Sequence, residues 1–180
     1  MNKTLQLLLL FTVTVFLWGC PYDSPYGIDP VAQQDIDENL IGSWATIMTK
    51  PSDDKHVKED PVKIIFSKNT GLEYNIAITG NIDELRPYHL VTNDSIKGIA
   101  YLSTAAGKQF LNAFIKGKMY IAEINNDTAG LTIRCLSEHF TGKYIKSSIE
   151  LRKAVELHYK FSAFPVYDDY FIFKNLQKVN

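Results

Sequence analysis

The chain is poor in the residues that build covalent and strongly charged frameworks. It has 2 cysteines in 180 residues, and 19 basic against 20 acidic side chains leave a formal net charge of −1. Arginine occurs only at positions 86, 134 and 152, and no run of Lys and Arg follows one face. Nucleic-acid binding needs a basic cluster. We therefore expect no nucleic-acid partner and, with so few cysteines, no disulfide framework.

Sequence motifs of catalytic and metal sites are also missing. The pair Gly107-Lys108 has neither the earlier glycine nor the following Ser or Thr of a phosphate-binding loop. The run Asp35-x-Asp37-x-Asn39 lacks the glycine and the glutamate of a calcium loop. The 4 histidines have no metal-ligand spacing, and no Gly-x-Ser-x-Gly occurs. We expect no catalytic residue, no metal site and no cofactor, and we predict that the chain is not an enzyme.

The first residues of the chain have the layout of a secretion signal. Lys3 precedes an apolar stretch over residues 5–18 that only three polar residues interrupt. This stretch is shorter than the roughly 20 residues that a membrane-spanning helix needs. It ends in Leu17-Trp18-Gly19-Cys20, which resembles the lipobox of bacterial lipoproteins except that Trp18 stands where a small residue is usual. The alternative is an ordinary N-terminal membrane helix with a chance cysteine.

The lipobox resemblance implies how the protein is processed and where it lies. Residues 1–19 would be removed as a signal peptide, and Cys20 would carry lipid as the first residue of the mature protein. We then expect the mature protein outside the cytoplasm, in the cell envelope, anchored by its acyl chains to a bacterial membrane, the outer one. Cys135 is left without a disulfide partner. It shares a strand face with Leu131 and Ile133, and such apolar surroundings make a thiol unreactive.

The mature chain divides into a tether and one domain. Residues 20–39 contain three prolines and a glycine without apolar periodicity, which predicts a flexible tether behind the lipidated cysteine. Residues 40–180 are long enough for a single core. From Leu40 the apolar residues recur with period two, which is typical of strands. Eight short strands are predicted: 40–49, 62–67, 74–79, 87–92, 96–103, 108–115, 119–124 and 131–136.

A single helix interrupts this pattern near the end of the chain. Ser147-Ser148-x-Glu150 is a capping box, and the residues that follow have helical spacing on one face. These are Leu151, Ala154, Val155 and His158. We predict a helix over roughly 148–160 and a last strand over 170–176. The spacing of the strands favours an all-β, antiparallel barrel or sandwich.

The order of eight strands, a helix and one more strand resembles the lipocalin (calycin) barrel, and the chain is similar to lipocalin-like bacterial lipoproteins. Gly42-Ser43-Trp44 matches the Gly-x-Trp of the first lipocalin strand. The resemblance implies that Trp44 plugs the closed end beneath a basic residue of the last strand, where Lys174 is available. The second lipocalin motif, Thr-Asp-Tyr, is not found. The alternative for Trp44 is a core aromatic of another antiparallel fold.

Two further elements resemble recurring parts of that group, but neither has an evident role. They are Gln109-Phe110-Leu111-Asn112 and the stretch from Ser147 to Arg152. Two tripeptides, Asp94-Ser95-Ile96 and Asp127-Thr128-Ala129, resemble O-glycosylation sites at Ser95 and Thr128. Both tripeptides fall at predicted turns.

An eight-stranded barrel is just wide enough to hold a small ligand or to be filled by its own side chains. An open interior predicts a carrier of a small apolar molecule, whereas a filled one predicts a structural module that meets another envelope protein. The residues expected to line a pocket or fill the core are Trp44, Ile64, Phe66, Tyr74, Ile76, Ile78, Tyr120, Ile124, Phe171 and Phe173.

Overall fold

The computed structural model describes residues 22–46, 61–137, 140–141, 144–161 and 167–179. The predicted signal peptide, 1–19, and the predicted lipid-bearing Cys20 lie outside the described residues. Nine strands are present in the described part: β1 Asp23–Ser24, β2 Gly42–Thr46, β3 Val62–Lys68, β4 Tyr74–Gly80, β5 Ile96–Ala105, β6 Lys108–Ile115, β7 Lys118–Asp127, β8 Gly130–Leu136 and β9 Tyr167–Val179. Helix α1 spans Ser148–Phe161, and 3-10 helices span Glu38–Leu40 and Asp83–Tyr88.

Strands β2 to β9 close into an eight-stranded antiparallel barrel. Each strand from β2 to β8 pairs with the next, and β9 pairs with both β8 and β2. The register of the closing pair sets Trp44 opposite Lys178. The predicted all-β, antiparallel barrel of about eight strands, with one helix followed by a last strand, is confirmed.

The predicted strand over residues 87–92 is wrong. Asp83–Tyr88 is a 3-10 helix that contains Pro87, and His89 after it has a left-handed backbone with φ of 58°. Proline has no N–H to donate to a strand ladder, and this segment makes only the isolated bridge from Thr92 to Ser95. The eighth strand of the barrel is therefore β9, which follows the helix.

The tether predicted over residues 20–39 is also wrong where the structure describes it. The segment 22–37, here called the strap, lies along the outer face of the barrel. It begins with β1, which pairs with β7, and its Ile28 is 1% exposed. Proline and glycine suit the irregular backbone of the strap, and a segment that packs through single residues shows no apolar period.

The barrel has a core on each side of its wall. The interior core is formed by the inward residues of the strands, such as Phe66, Tyr74 and Leu111. A second core lies outside, where α1 and the strap cover β6, β7 and their neighbours with residues such as Phe110 and Leu151. Because the wall is buried on both sides there, these strands are apolar on both faces, as parts of the sequence indicate.

Helix α1 begins at the predicted capping box. The Glu150 N–H donates to Ser147 Oγ at 3.2 Å, and the Glu150 carboxylate accepts from the Lys146 N–H at 2.8 Å. The second bond is thus made one residue before the position that the motif predicts. Of the predicted apolar face, Leu151, Val155 and His158 are buried against the barrel.

Candidate functional site

One end of the barrel is closed by Trp44 and the 3-10 helix before it. The Trp44 indole N–H donates to the Leu40 carbonyl oxygen at 2.8 Å, and the side chain is 5% exposed. The ammonium of Lys178 lies 5.5 Å from the centre of the Trp44 ring and donates to the Asn39 carbonyl oxygen at 3.1 Å. The basic residue over Trp44 is therefore Lys178 and not the predicted Lys174, because β9 continues to Val179.

Gly42 belongs to the same arrangement. Its φ of 132° is a conformation that favours glycine, and a Cβ there would come within 2.8 Å of Lys178 Cε. The Gly-x-Trp motif thus has a physical reading in this chain. Gly42 leaves room for the aliphatic part of the Lys178 side chain. The ammonium group of Lys178 then lies over the face of the Trp44 ring, in a cation–π interaction.

The interior holds a small apolar cavity of about 60 Å³. Six of the ten residues predicted for the pocket or core line it: Ile64, Phe66, Ile78, Tyr120, Phe171 and Phe173. The other four, Trp44, Tyr74, Ile76 and Ile124, are buried in the surrounding core. The lining is completed by residues that were not among those predicted for the pocket or core: Leu90, Ile96, Leu111, Ala113, Ile115, Ala122, Ile133 and Cys135.

Most of these missed residues carry a signal that period-two counting could have found. On β6, Leu111, Ala113 and Ile115 alternate with outward residues, and the other strands repeat the pattern. Cys135 occupies an inward position of β8, and burial raises the pKa of its thiol to about 12, as its apolar strand predicts. The same period could not have placed Leu90 in the cavity lining, because the segment that contains Leu90 is not a strand.

The cavity lies beneath residues 82–92, here called the plug, which connect β4 to β5 across the second end of the barrel. Ile82, Leu85 and Leu90 are 1%, 0% and 5% exposed, and Leu90 lines the cavity. Tyr88 packs edge-on against Phe171, with 4.9 Å between ring centres. The plug is thus held mainly by apolar contacts.

Polar contacts of the plug are made near the protein surface. Lys116, in the turn between β6 and β7, donates to the carbonyl oxygens of His89 and Val91 at 2.8 and 3.2 Å. Arg86 binds Asp83 and Asp94 at 2.7 Å each, but exposed ion pairs add little stability. Lys116 thus ties the plug to the turn between β6 and β7.

A buried polar cluster on the outer face was not predicted. Glu123 on β7 is 4% exposed, and its carboxylate accepts from Lys108 Nζ at 3.0 Å and from Arg134 Nη2 at 2.6 Å. It also accepts from the hydroxyls of Tyr159 and Tyr167. A carboxylate has about four acceptor positions. Four donors therefore fill them, and the cluster ties α1 and β9 to the barrel wall.

The electrostatics of this cluster follow from burial and from its donors. Burial alone would raise the pKa of Glu123, but the hydroxyl and lysine hydrogen bonds and the Arg134 charge outweigh it, and its pKa is lowered. Burial and the bond to Glu123 raise the pKa of Tyr167 to about 12 and that of Tyr159 as well. The sequence signal for the cluster is a single acid within the apolar run of β7.

A second hydrogen-bond network holds the strap against the barrel. It includes one residue from each of the two elements that had no evident role in the sequence, 109–112 and 147–152. Asn112 is fully buried; its Oδ1 accepts from the Ile28 N–H at 2.7 Å, and its Nδ2 donates to Ser103 Oγ at 2.9 Å. Arg152 on α1 donates to Asp29 Oδ1 and to the Thr104 carbonyl oxygen, both at 2.6 Å. Asn112 and Arg152 thus act as a clamp on the strap from the wall and from the helix.

The two residues predicted for O-glycosylation differ in exposure. Ser95 is 8% exposed and donates to the Thr92 carbonyl oxygen at 3.1 Å, whereas Thr128 is exposed in the turn between β7 and β8. Among the described residues there is no group of three His, Cys, Asp or Glu side chains that could hold a metal ion. No helix in the described part is long and apolar enough to cross a membrane.

Comparison with known proteins adds no relative. No family model, curated protein or solved structure matches this chain. The class of the protein is therefore defined by its own architecture, which is a closed eight-stranded antiparallel barrel with one helix and a final strand. This architecture is consistent with a lipocalin-like fold.

Proposed function

We propose that this chain is a lipid-anchored envelope protein whose barrel binds a small apolar molecule under the plug. The observation that carries the proposal is the cavity, whose lining is entirely apolar. A polar ligand would lose its hydrogen bonds to water there without replacement. An apolar ligand would gain from burial.

The anchor in this proposal rests on the sequence alone. Lys3, the apolar stretch and Gly19-Cys20 have the order of a lipoprotein signal. That the chain is not an enzyme also stays a prediction.

The size of the cavity limits the ligand. About 60 Å³ is less than half of the roughly 150 Å³ that an engineered cavity uses to bind benzene. A larger molecule therefore requires the plug to move outward, which would carry Leu90 away from the cavity. The same small volume favours a second candidate function, in which a filled barrel serves as a structural or interaction module of the envelope.

Native mass spectrometry separates the two candidates. The mature protein is purified from its own host and compared with Ala122→Leu, which fills the cavity from its wall. We expect a discrete added mass on the wild-type protein that disappears on denaturation and is reduced in the variant. Bare protein masses for both, even after incubation with host lipid extract, would refute the carrier and favour the structural module.

A further inference from the structure

The strap and α1 leave one apolar row on the barrel surface uncovered. Ile99 on β5 and Phe114 on β6 are paired across the sheet and are 41% and 49% exposed. Phe114 is paired in turn with half-buried Met119 on β7, and Met119 with Ser24 on β1. Ile99, Phe114 and Met119, here called the apolar row, lie on three neighbouring strands, and the row ends at buried Ser24 of the strap.

The start of the strap is fixed to the end of β8 and to Phe140. The Tyr22 N–H donates to the Leu136 carbonyl oxygen at 2.8 Å, and the Tyr22 ring packs edge-on against Phe140 at 4.7 Å. Cys20 is two residues earlier, and two residues reach at most about 7 Å. Neighbouring strands are about 4.8 Å apart, so Phe114 is about 10 Å from the β1 backbone. Ser24, which is opposite Met119, is two residues beyond Tyr22, so a lipid on Cys20 would be held within roughly 25 Å of Phe114.

The charges around the row suit an anionic surface. Lys97 and Lys116 are exposed two residues from Ile99 and Phe114, and Lys118 is exposed next to Met119. Asp23 on β1 is paired with Lys118. Apolar side chains bordered by lysines are the composition that favours the headgroup region of a membrane with anionic lipids.

We infer that the apolar row is the face with which the domain lies on the membrane that carries its anchor. Phe114 and Ile99 enter the boundary between headgroups and acyl chains, and the lysines meet anionic headgroups. This inference rests on the proposed lipidation of Cys20. It also deepens the carrier proposal, because Lys116 links this face to the plug. An apolar molecule that leaves the bilayer would meet the plug first.

The test uses the full chain, processed in its host and reconstituted in vesicles of phosphatidylcholine and phosphatidylglycerol. Phe114→Cys and Ile99→Cys carry an environment-sensitive fluorophore in a Cys135→Ala background, because Cys135 is a free thiol of intermediate exposure. The matched control is Leu157→Cys, which is 41% exposed, as Ile99 is. Leu157 lies on α1, whose Arg152 donates to the Thr104 carbonyl oxygen five residues along β5 from Ile99.

We expect a blue shift and protection from a water-soluble quencher at positions 114 and 99, but not at 157. Equal quenching at all three positions, with the acyl mass present on Cys20, would overturn the inference and leave the anchor intact. Protection that disappears when the protein is diluted within the membrane would show a second copy on the row and overturn it too. Absence of the acyl mass would refute the proposed anchor, and the inference with it.

Discussion

Replacing Glu123 by glutamine should destabilise the domain in a pH-dependent way. The variant keeps the shape of the side chain but loses the negative charge and places an NH₂ group among four donors. Hydrogen bonds to a charged group contribute roughly 1.5–3 kcal/mol each. Lys108 and Arg134 are 40% and 31% exposed, so water can replace the bonds that they lose. We therefore expect the free energy of unfolding to fall by about 3 kcal/mol, mainly through the weakened bonds of Tyr159 and Tyr167.

The sign of the pH dependence follows from the lowered pKa of Glu123. Its folded pKa lies below the ordinary 4.5, so the carboxylate stabilises the fold fully above about 4.5. That contribution is lost as the pH falls through the folded value. The difference in free energy of unfolding between wild type and Glu123→Gln should therefore be largest at neutral pH and shrink in acid.

Chemical unfolding at neutral and acid pH measures this difference, and a difference of 3 kcal/mol lowers Tm by roughly 6–12 °C. The matched control is Glu38→Gln, whose carboxylate pairs with Lys68 at 3.3 Å while both side chains are more than half exposed. An exposed pair contributes at most about 1 kcal/mol. The assigned role of the cluster would be refuted if the difference in free energy of unfolding between wild type and Glu123→Gln were the same at both pH values. An effect no larger than that of Glu38→Gln would refute it too.

Three further predictions concern the plug, the strap and the closed end. Leu90→Ala should cost about 2–5 kcal/mol in the free energy of unfolding and enlarge the cavity, so benzene should raise the Tm of the variant and not that of wild type. Asn112→Ala leaves the buried Ile28 N–H without its acceptor, which should cost about 1–3 kcal/mol and speed proteolytic cleavage of the strap; cleavage at the wild-type rate would contradict this. Lys178→Ala should uncover Trp44, so acrylamide quenching of its emission should increase, with a loss of about 0.5–1 kcal/mol.

Much of the fold could be predicted because the strands are marked locally. The alternation of Tyr74, Ile76 and Ile78 fixes which face of β4 is inward, and the same period recurs in β3. The capping box predicts the start of α1 because its bonds are local. The spacing of these elements predicted an antiparallel barrel or sandwich, and the resemblance to the lipocalin order favoured the barrel.

The errors arose where packing partners are distant in the sequence. The strap has no period of its own, and its position depends on Asn112 and Arg152, which are 84 and 123 residues away from the groups they bind. The plug has apolar residues at strand-like spacing, but Pro87 prevents a ladder. The tyrosine donors of Glu123 could not be predicted from the sequence, because Tyr159 and Tyr167 lie on α1 and β9, far from Glu123 along the chain.

The strap changes how an anchor would act on the domain. A flexible tether would leave the barrel free to turn above the membrane, but the strap is bonded to the barrel from Tyr22 to Asp37, where the Asp37 N–H donates to the Tyr74 hydroxyl at 2.6 Å. A force on a lipid at Cys20 would be taken first by β1 and the Tyr22 contacts, and then by Asn112 and Arg152. Weakening that clamp should therefore loosen the orientation of the domain before it loosens the barrel itself. Residues 109–112 and 147–152 thus act together in holding the strap to the barrel.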